Sequence, residues 1–346
     1  MRICFSPDSR HSVKRFISTS LICAFLFCSN QPVFATSSGS ACKTHGEVAA
    51  TLVCVQENKK LVWRKLESID QVQAVIDNSL KLSKLPKKVT PELSKVRNNK
   101  SYWLDQECAV DFPDVKVPEC IAGDASGKKI MVVYGDSHAS MWMTALDTIA
   151  KNSGYKIYLF AKLACPLVEV PIWSYQLNKP FNECNEWQQQ VLPKIEILKP
   201  DVLVVTDQWK PSVVDGKKSD FDTPTLWANE FPKALSKLSS FTKRLIVFSN
   251  NPSMQQDSVA CASKPRANIA LCAAGRSQAG NVQINRIEAE AAKRVGATFV
   301  DTVNLACNQY LCPIVIGDKF VYFDQWHFTA TYVKWLTPVL KKSISL

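Results

Sequence analysis

Histidine is scarce in this 346-residue chain, with four copies, and among its 13 cysteines no two stand at CxxC spacing. Zinc sites draw their ligands from such clusters, so the two absences together argue against a metal. No internal repeat and no nucleic-acid recognition motif is visible. The longest early apolar run, Phe16–Cys28, is too short to cross a bilayer comfortably. Hydrophobic residues at 46% and charged residues at 21% are ordinary globular proportions, which excludes disorder away from the ends.

The first 35 residues have the make-up of an export leader. Arg2, Arg10, Lys14 and Arg15 form a basic start, Phe16–Cys28 an apolar middle, and Val33-Phe34-Ala35 places small residues before a cleavage point after Ala35. Phe27 before Cys28 is too large for a lipoprotein site. Losing four basic residues and Asp8 takes the net charge from +11 to +8. A basic exported protein could favour acidic envelope polymers or equally be just soluble, and its location argues against nucleic acid. Ten cysteines remain, an even number in an oxidising compartment. They fall in close pairs, read as five local bridges: Cys42/Cys54, Cys108/Cys120, Cys165/Cys184, Cys261/Cys272 and Cys307/Cys312.

Residues 36–66 read as a small cysteine-closed segment ending in LVWRK. Residues 67–100 read as a polar helical linker, broken by Pro86 and Pro91, that packs on a main domain over 101–346. From about residue 128, β-rich apolar runs alternate with helical patterns. The runs are Ile130–Tyr134, Lys156–Phe160, Asp201–Val205, Arg244–Phe248 and Ala297–Asp301. Trp187, Val191, Ile195 and Leu198 follow helical spacing, as do Ile284, Ile287, Ala291 and Val295; a last helix from about Ala330 turns Val333, Leu336 and Leu340 inward. This alternation predicts an α/β three-layer sandwich with a central five-stranded parallel sheet. Ligands bind such sheets at the carboxyl ends of the strands, so loops 161–185, 206–224 and 249–280 should shape the site.

Gly135-Asp136-Ser137-His138 follows the first run and opens a helix. A serine on that turn has its N–H at a helix N-terminus, where a developing oxyanion is stabilised. An N-cap is the plain alternative for such a string. Near the other end, Asp324-Gln325-Trp326-His327 precedes the last helix. A hydroxyl nucleophile needs a base, and an imidazole base needs a carboxylate to fix its tautomer; a spacing of three puts Asp324 and His327 on one side of a turn.

GDSH after the first strand and DxxH before the last helix resemble the first and last signatures of SGNH hydrolases. The chain is closer still to extracytoplasmic SGNH domains associated with acyltransferase family 3 membrane proteins. LPKKVTPEL at 85–93, the pair Cys108 and Cys120, GDSHASMWMTALDTIA, Cys165-Pro166, DVLVVTDQW and the NNP at 250–252 carry that resemblance, over roughly residues 80–343. It implies a flavodoxin-like sheet and an exported serine esterase or O-acyltransferase acting on acyl, typically acetyl, esters of envelope glycans. In it Ser137 attacks the carbonyl, His327 takes the proton and Asp324 orients His327, with no cofactor or metal. A transferase would also need a membrane acyltransferase partner to supply the acyl donor. The chain departs from the family where many members place an oxyanion Asn, reading Thr206-Asp207-Gln208-Trp209 instead. Gln208 and the backbone near Ala164 are the candidate replacements.

A non-catalytic glycan-binding module on the same fold is the competing function; it would show a broken triad, whereas Ser137, Asp324 and His327 are all present. Trp173, Tyr175, Trp187 and Trp209 are candidate faces for sugar rings, Trp173 and Trp209 foremost, although core is the commoner fate of tryptophan. No continuous apolar loop is present to line a lipid channel.

Overall fold

The computed structural model describes residues 36–346; the expected leader lies outside the described residues. No described helix is long and apolar enough to cross a membrane.

The five predicted strands run parallel at the centre of the sheet: Lys129–Gly135, Tyr155–Lys162, Val202–Thr206, Leu245–Phe248 and Thr298–Val300. Numbered along the chain, their spatial order is 2-1-3-4-5, the doubly wound order of flavodoxin-like folds. The sheet has seven strands rather than five. Ala109–Val110 (parallel) and Ile121–Gly123 (antiparallel) both pair with Tyr155–Lys162, at opposite ends of its free edge. Each is only two or three residues long, too short to show alternation in sequence. The Cys108–Cys120 disulfide joins the loop that carries them.

Alternation along the central strands explains the three layers, because successive side chains leave opposite faces. Met131, Val133, Val202, Val204, Ile246 and Phe248 join a core built with the helices Ser137–Lys151 and Ala330–Ser343. Val132, Tyr134, Leu203, Val205, Leu245 and Val247 face a second core with Asn182–Leu198, Thr223–Ser240 and Val282–Arg294. All twelve are buried, and a fully buried side chain of this size contributes roughly 1.5–3 kcal/mol.

Residues 36–66 form a three-stranded antiparallel sheet, Val48–Ala49, Leu52–Glu57 and Lys60–Lys65, closed by Cys42–Cys54. The helical part of 67–100 is the helix Ile69–Ser79, started by a Ser68/Gln71 capping box, and a short 3-10 turn at Leu93–Asn98. Val72, Val75 and Ile76 enter the first core beside Val315, Ile316 and Phe320. Gly317 N–H donates to Ser79 Oγ at 2.7 Å, and Thr90 N–H to the Asp318 carbonyl at 2.7 Å. The remaining bridges are Cys165–Cys184, Cys261–Cys272 and Cys307–Cys312.

Candidate active site

Strand Lys129–Gly135 ends at the switch point of the sheet, between strands leading away on either side. Strand Val202–Thr206 lies so close that a Cβ on Gly135 would stand 1.8 Å from the Thr206 carbonyl oxygen, so only glycine fits there. Asp136 then caps the helix Ser137–Lys151, its Oδ1 accepting the His138 N–H at 2.8 Å. Ser137 is the first helical residue and points into a cleft of about 830 Å³. Its N–H has no hydrogen-bond partner among the described residues.

His327 arrives from the turn before the last helix. Its Nε2 lies 2.8 Å from Ser137 Oγ, and its Nδ1 lies 2.8 Å from Asp324 Oδ2. Asp324 also accepts the Trp326 and His327 backbone N–H groups on Oδ1, both at 2.7 Å. Burial opposes the Asp324 charge, but the His327 ring and those two N–H groups outweigh it and hold the carboxyl below the usual range. With Nδ1–H committed to a carboxylate, Nε2 is left to accept the serine proton. Phe323 stacks on the His327 ring at 5.3 Å and 7°, and His138 stacks on it at 4.9 Å and 26°.

Ala164 lines the same cleft and takes a left-handed backbone, φ +57°, in the turn after strand Tyr155–Lys162. Its N–H also has no partner among the described residues, so two unpaired backbone donors belong to residues that line the cleft. Gln208 is more constrained. Its backbone N–H donates to Asp136 Oδ2 at 3.0 Å, its side-chain amide to Ser253 Oγ at 3.2 Å, and its Oε1 accepts from Lys210 Nζ at 3.2 Å. Only one side-chain N–H is left for a ligand. The NNP segment sets this turn: Asn250 Oδ1 accepts the Trp209 N–H at 2.9 Å, and its amide donates to buried Glu288 at 2.6 Å.

The aromatic candidates divide. Trp209 and Tyr175 line the cleft. Trp187 is core, 1% exposed and stacked on Tyr134 at 5.8 Å, because it shares a helix stripe with Val191 and Ile195. Trp173 pairs with Pro180 in a two-stranded ribbon and is not on the cleft wall. Sequence reasoning missed Trp326, 43% exposed at the rim, although it stands inside the DxxH string. It also missed Lys100 and Phe112, which reach the cleft from segments with no motif.

Beneath the cleft Asp136, His138, Asp207 and Glu288 form a buried cluster, and half-buried Lys210 stands beside it in the cleft wall. Burial opposes ionisation of both Asp136 and His138, yet their mutual attraction prevails, lowering the Asp136 pKa and raising that of His138. Burial pushes Asp207 up to about 7, the Asp136 charge adding to it and the Leu167 N–H opposing it. Burial and the Asp207 charge raise Glu288 well above the carboxylate range. Burial lowers Lys210 against the pull of Asp136 and Asp207.

Among solved structures, the fold is similar to the periplasmic domain of a Salmonella Paratyphi A lipopolysaccharide acetyltransferase, at 16% identity and TM-score 0.49, covering 64% of this chain and 85% of that one. It is also similar to the acetylxylan esterase Axe2 from Geobacillus stearothermophilus, at 11% identity and TM-score 0.36, covering 64% and 96%. A third likeness is LAE5, an alpha/beta hydrolase enzyme from the Lake Arreo metagenome in Spain, at 9% identity and TM-score 0.39, covering 64% and 96%. A comparison with curated protein sequences gives no match. The family model described as "SGNH domain (fused to AT3 domains)" matches residues 107–342, well over half the chain and both ends of the hydrogen-bonded series. The chain therefore belongs to the family of SGNH domains found fused to AT3 domains, and is an SGNH-type hydrolase or acyltransferase.

Proposed function

We propose that this chain is an exported serine esterase or O-acyltransferase that works on acyl esters, acetyl foremost, of cell-envelope glycans. The observation that carries the reading is the continuous series Ser137 Oγ–His327 Nε2–Asp324 Oδ2, with both contacts at 2.8 Å and its serine open to the cleft. In the proposed reaction His327 removes the Ser137 hydroxyl proton as Oγ bonds to the ester carbonyl carbon. The oxyanion forms where the Ser137 and Ala164 N–H groups can meet it. His327 returns the proton to the departing sugar oxygen, leaving an acyl-serine. Water, or a second sugar hydroxyl, then gives its proton to His327 and takes the acyl group, restoring Ser137. The acceptor alone separates esterase from transferase; for a transferase the donor would come from a membrane acyltransferase partner.

Part of the cleft wall suits a glycan. Gln176, Gln255, Gln278 and Asn281 offer neutral hydrogen-bonding groups beside Trp209, Tyr175 and Trp326. Five disulfides fit an oxidising compartment. The test is to label purified residues 36–346 with a fluorophosphonate and map the adduct, then compare acetylated sugars with long-chain lipid esters. Labelling of Ser137 and turnover of short sugar esters are expected. An unlabelled protein that still binds glycan would replace the enzyme by a binding module. Preference for chains of about eight carbons or more, at ~0.8 kcal/mol per buried methylene, would replace the glycan by a lipid.

A further inference from the structure

His138 adjoins the nucleophile turn, but the proposed reaction gives it no step. It is 2% exposed, and its two ring nitrogens face two different acceptors. Nδ1 lies 3.0 Å from Asp136 Oδ1, and Nε2 lies 3.2 Å from the Trp326 carbonyl oxygen. The carbonyl carries no hydrogen. Asp136 already accepts backbone N–H groups on both oxygens, from His138 at 2.8 Å and Gln208 at 3.0 Å, which is the pattern of an ionised carboxylate. A neutral imidazole has one N–H and could satisfy only one of these partners; an imidazolium satisfies both.

These contacts close a circuit. The Trp326 carbonyl that receives Nε2–H shares its peptide unit with the His327 N–H, which donates to Asp324; Asp324 holds the His327 ring, which reaches Ser137 at the start of the helix capped by Asp136. We propose that His138 is a positioning residue: a standing imidazolium that ties the nucleophile turn, through Asp136, to the turn carrying the base, through the Trp326 carbonyl. The inference rests on the serine-enzyme reading for its purpose, and on contact geometry alone for its charge. The charged or titratable groups around His138 are Asp136, which favours the cation, Lys210, which opposes it, Asp207, and the stacked ring of His327. A clamp of this kind acts on the orientation of His327, so its loss should fall on kcat and leave KM in place.

Only His45, His138 and His327 lie in residues 36–346, which makes the histidine nitrogens tractable by NMR. In protein labelled with 15N-histidine, one ring, identified by its loss in His138→Gln, should carry protons on both nitrogens from pH 6 to pH 8.5. A bare nitrogen on that ring at pH 7 would overturn the proposal. His138→Asn can keep the Asp136 contact and His138→Gln the Trp326 contact. Each should lose roughly tenfold to hundredfold in kcat, since misplacing the base by about 1 Å costs that order. Each should also weaken the downfield Nδ1–H signal of His327. Variants with kcat within twofold of the parent and an unchanged His327 signal, or a rise in KM alone, would overturn it too. Both NMR readouts need no substrate. An unlabelled parent protein would count against the serine-enzyme reading, and a bare ring nitrogen against this one.

Discussion

Replacing Asp324 by Asn changes one oxygen to a nitrogen and separates chemistry from architecture. In the parent, Oδ1 holds the Trp326 and His327 N–H groups while Oδ2 takes the His327 Nδ1–H. The amide oxygen of Asn can keep both backbone bonds, so the turn survives and stability should change by less than about 1 kcal/mol. The amide nitrogen then faces Nδ1 as a donor. His327 must answer as an acceptor there, which moves its proton to Nε2 and aims it at Ser137 Oγ. In that tautomer the ring cannot take the serine proton, and no carboxylate balances the imidazolium of the transition state. The worked serine-protease precedent for this substitution is a loss of about 10⁴ in kcat, or roughly 5.4 kcal/mol at 1.36 kcal/mol per tenfold. Hydrolysis of an acetyl ester and the rate of fluorophosphonate labelling both read it, with the melting temperature as control. Asp324→Ala, which also strips the two backbone N–H groups of their acceptor, should lose stability as well, by about 1–3 kcal/mol. If Asp324→Asn keeps activity within tenfold while melting like the parent, the proposed relay is wrong.

Three further outcomes follow from the framework around the site. Lys162 is fully buried and its Nζ donates to the carbonyls of Asp111, Phe112 and Asp114; Lys162→Met should cost about 2–3 kcal/mol in denaturant unfolding and raise KM, because Phe112 lines the cleft. Gly135→Ala drives a Cβ into the Thr206 carbonyl, and should leave little folded protein by circular dichroism. Asp207, pushed up to about 7, binds its proton more tightly folded than unfolded, so it erodes stability as pH rises from about 4 to 7 and not beyond. Asp207→Asn should therefore gain on the parent across that interval in pH-resolved melting, and a constant offset from pH 4 to 8 would contradict this.

What was legible in the sequence was local. Each central strand is a run of apolar residues with its own boundaries, and GDSH and DxxH are short strings on the turns that the structure brings together, so fold class and the Ser137–His327–Asp324 grouping could be read before any coordinates. The edge strands Ala109–Val110 and Ile121–Gly123 could not, because their pairing depends on one free edge of a partner strand and not on their own pattern. Trp187, one of the candidate sugar faces, was readable as core: its helical stripe with Val191 and Ile195 already marked it. His138 was hidden more deeply. Its second partner is a carbonyl 188 residues away, and a backbone oxygen has no letter in a sequence.

The packing of the early helix Ile69–Ser79 has a consequence for how the molecule is made. Its buried face rests on residues 315–320, and Ser79 is joined to Gly317 across 238 positions. The helix Ser137–Lys151 likewise waits for Ala330–Ser343. As the polypeptide emerges from its N-terminus, Cys42–Cys54 can close within its own hairpin, but the cover over these two helices is not complete until the final thirty or so residues have appeared. Until then the parts of their apolar faces that those residues cover are open to chaperones or to neighbouring nascent chains. A stop codon a few dozen residues early should thus yield a polypeptide destined for aggregation or proteolysis rather than a weakened protein.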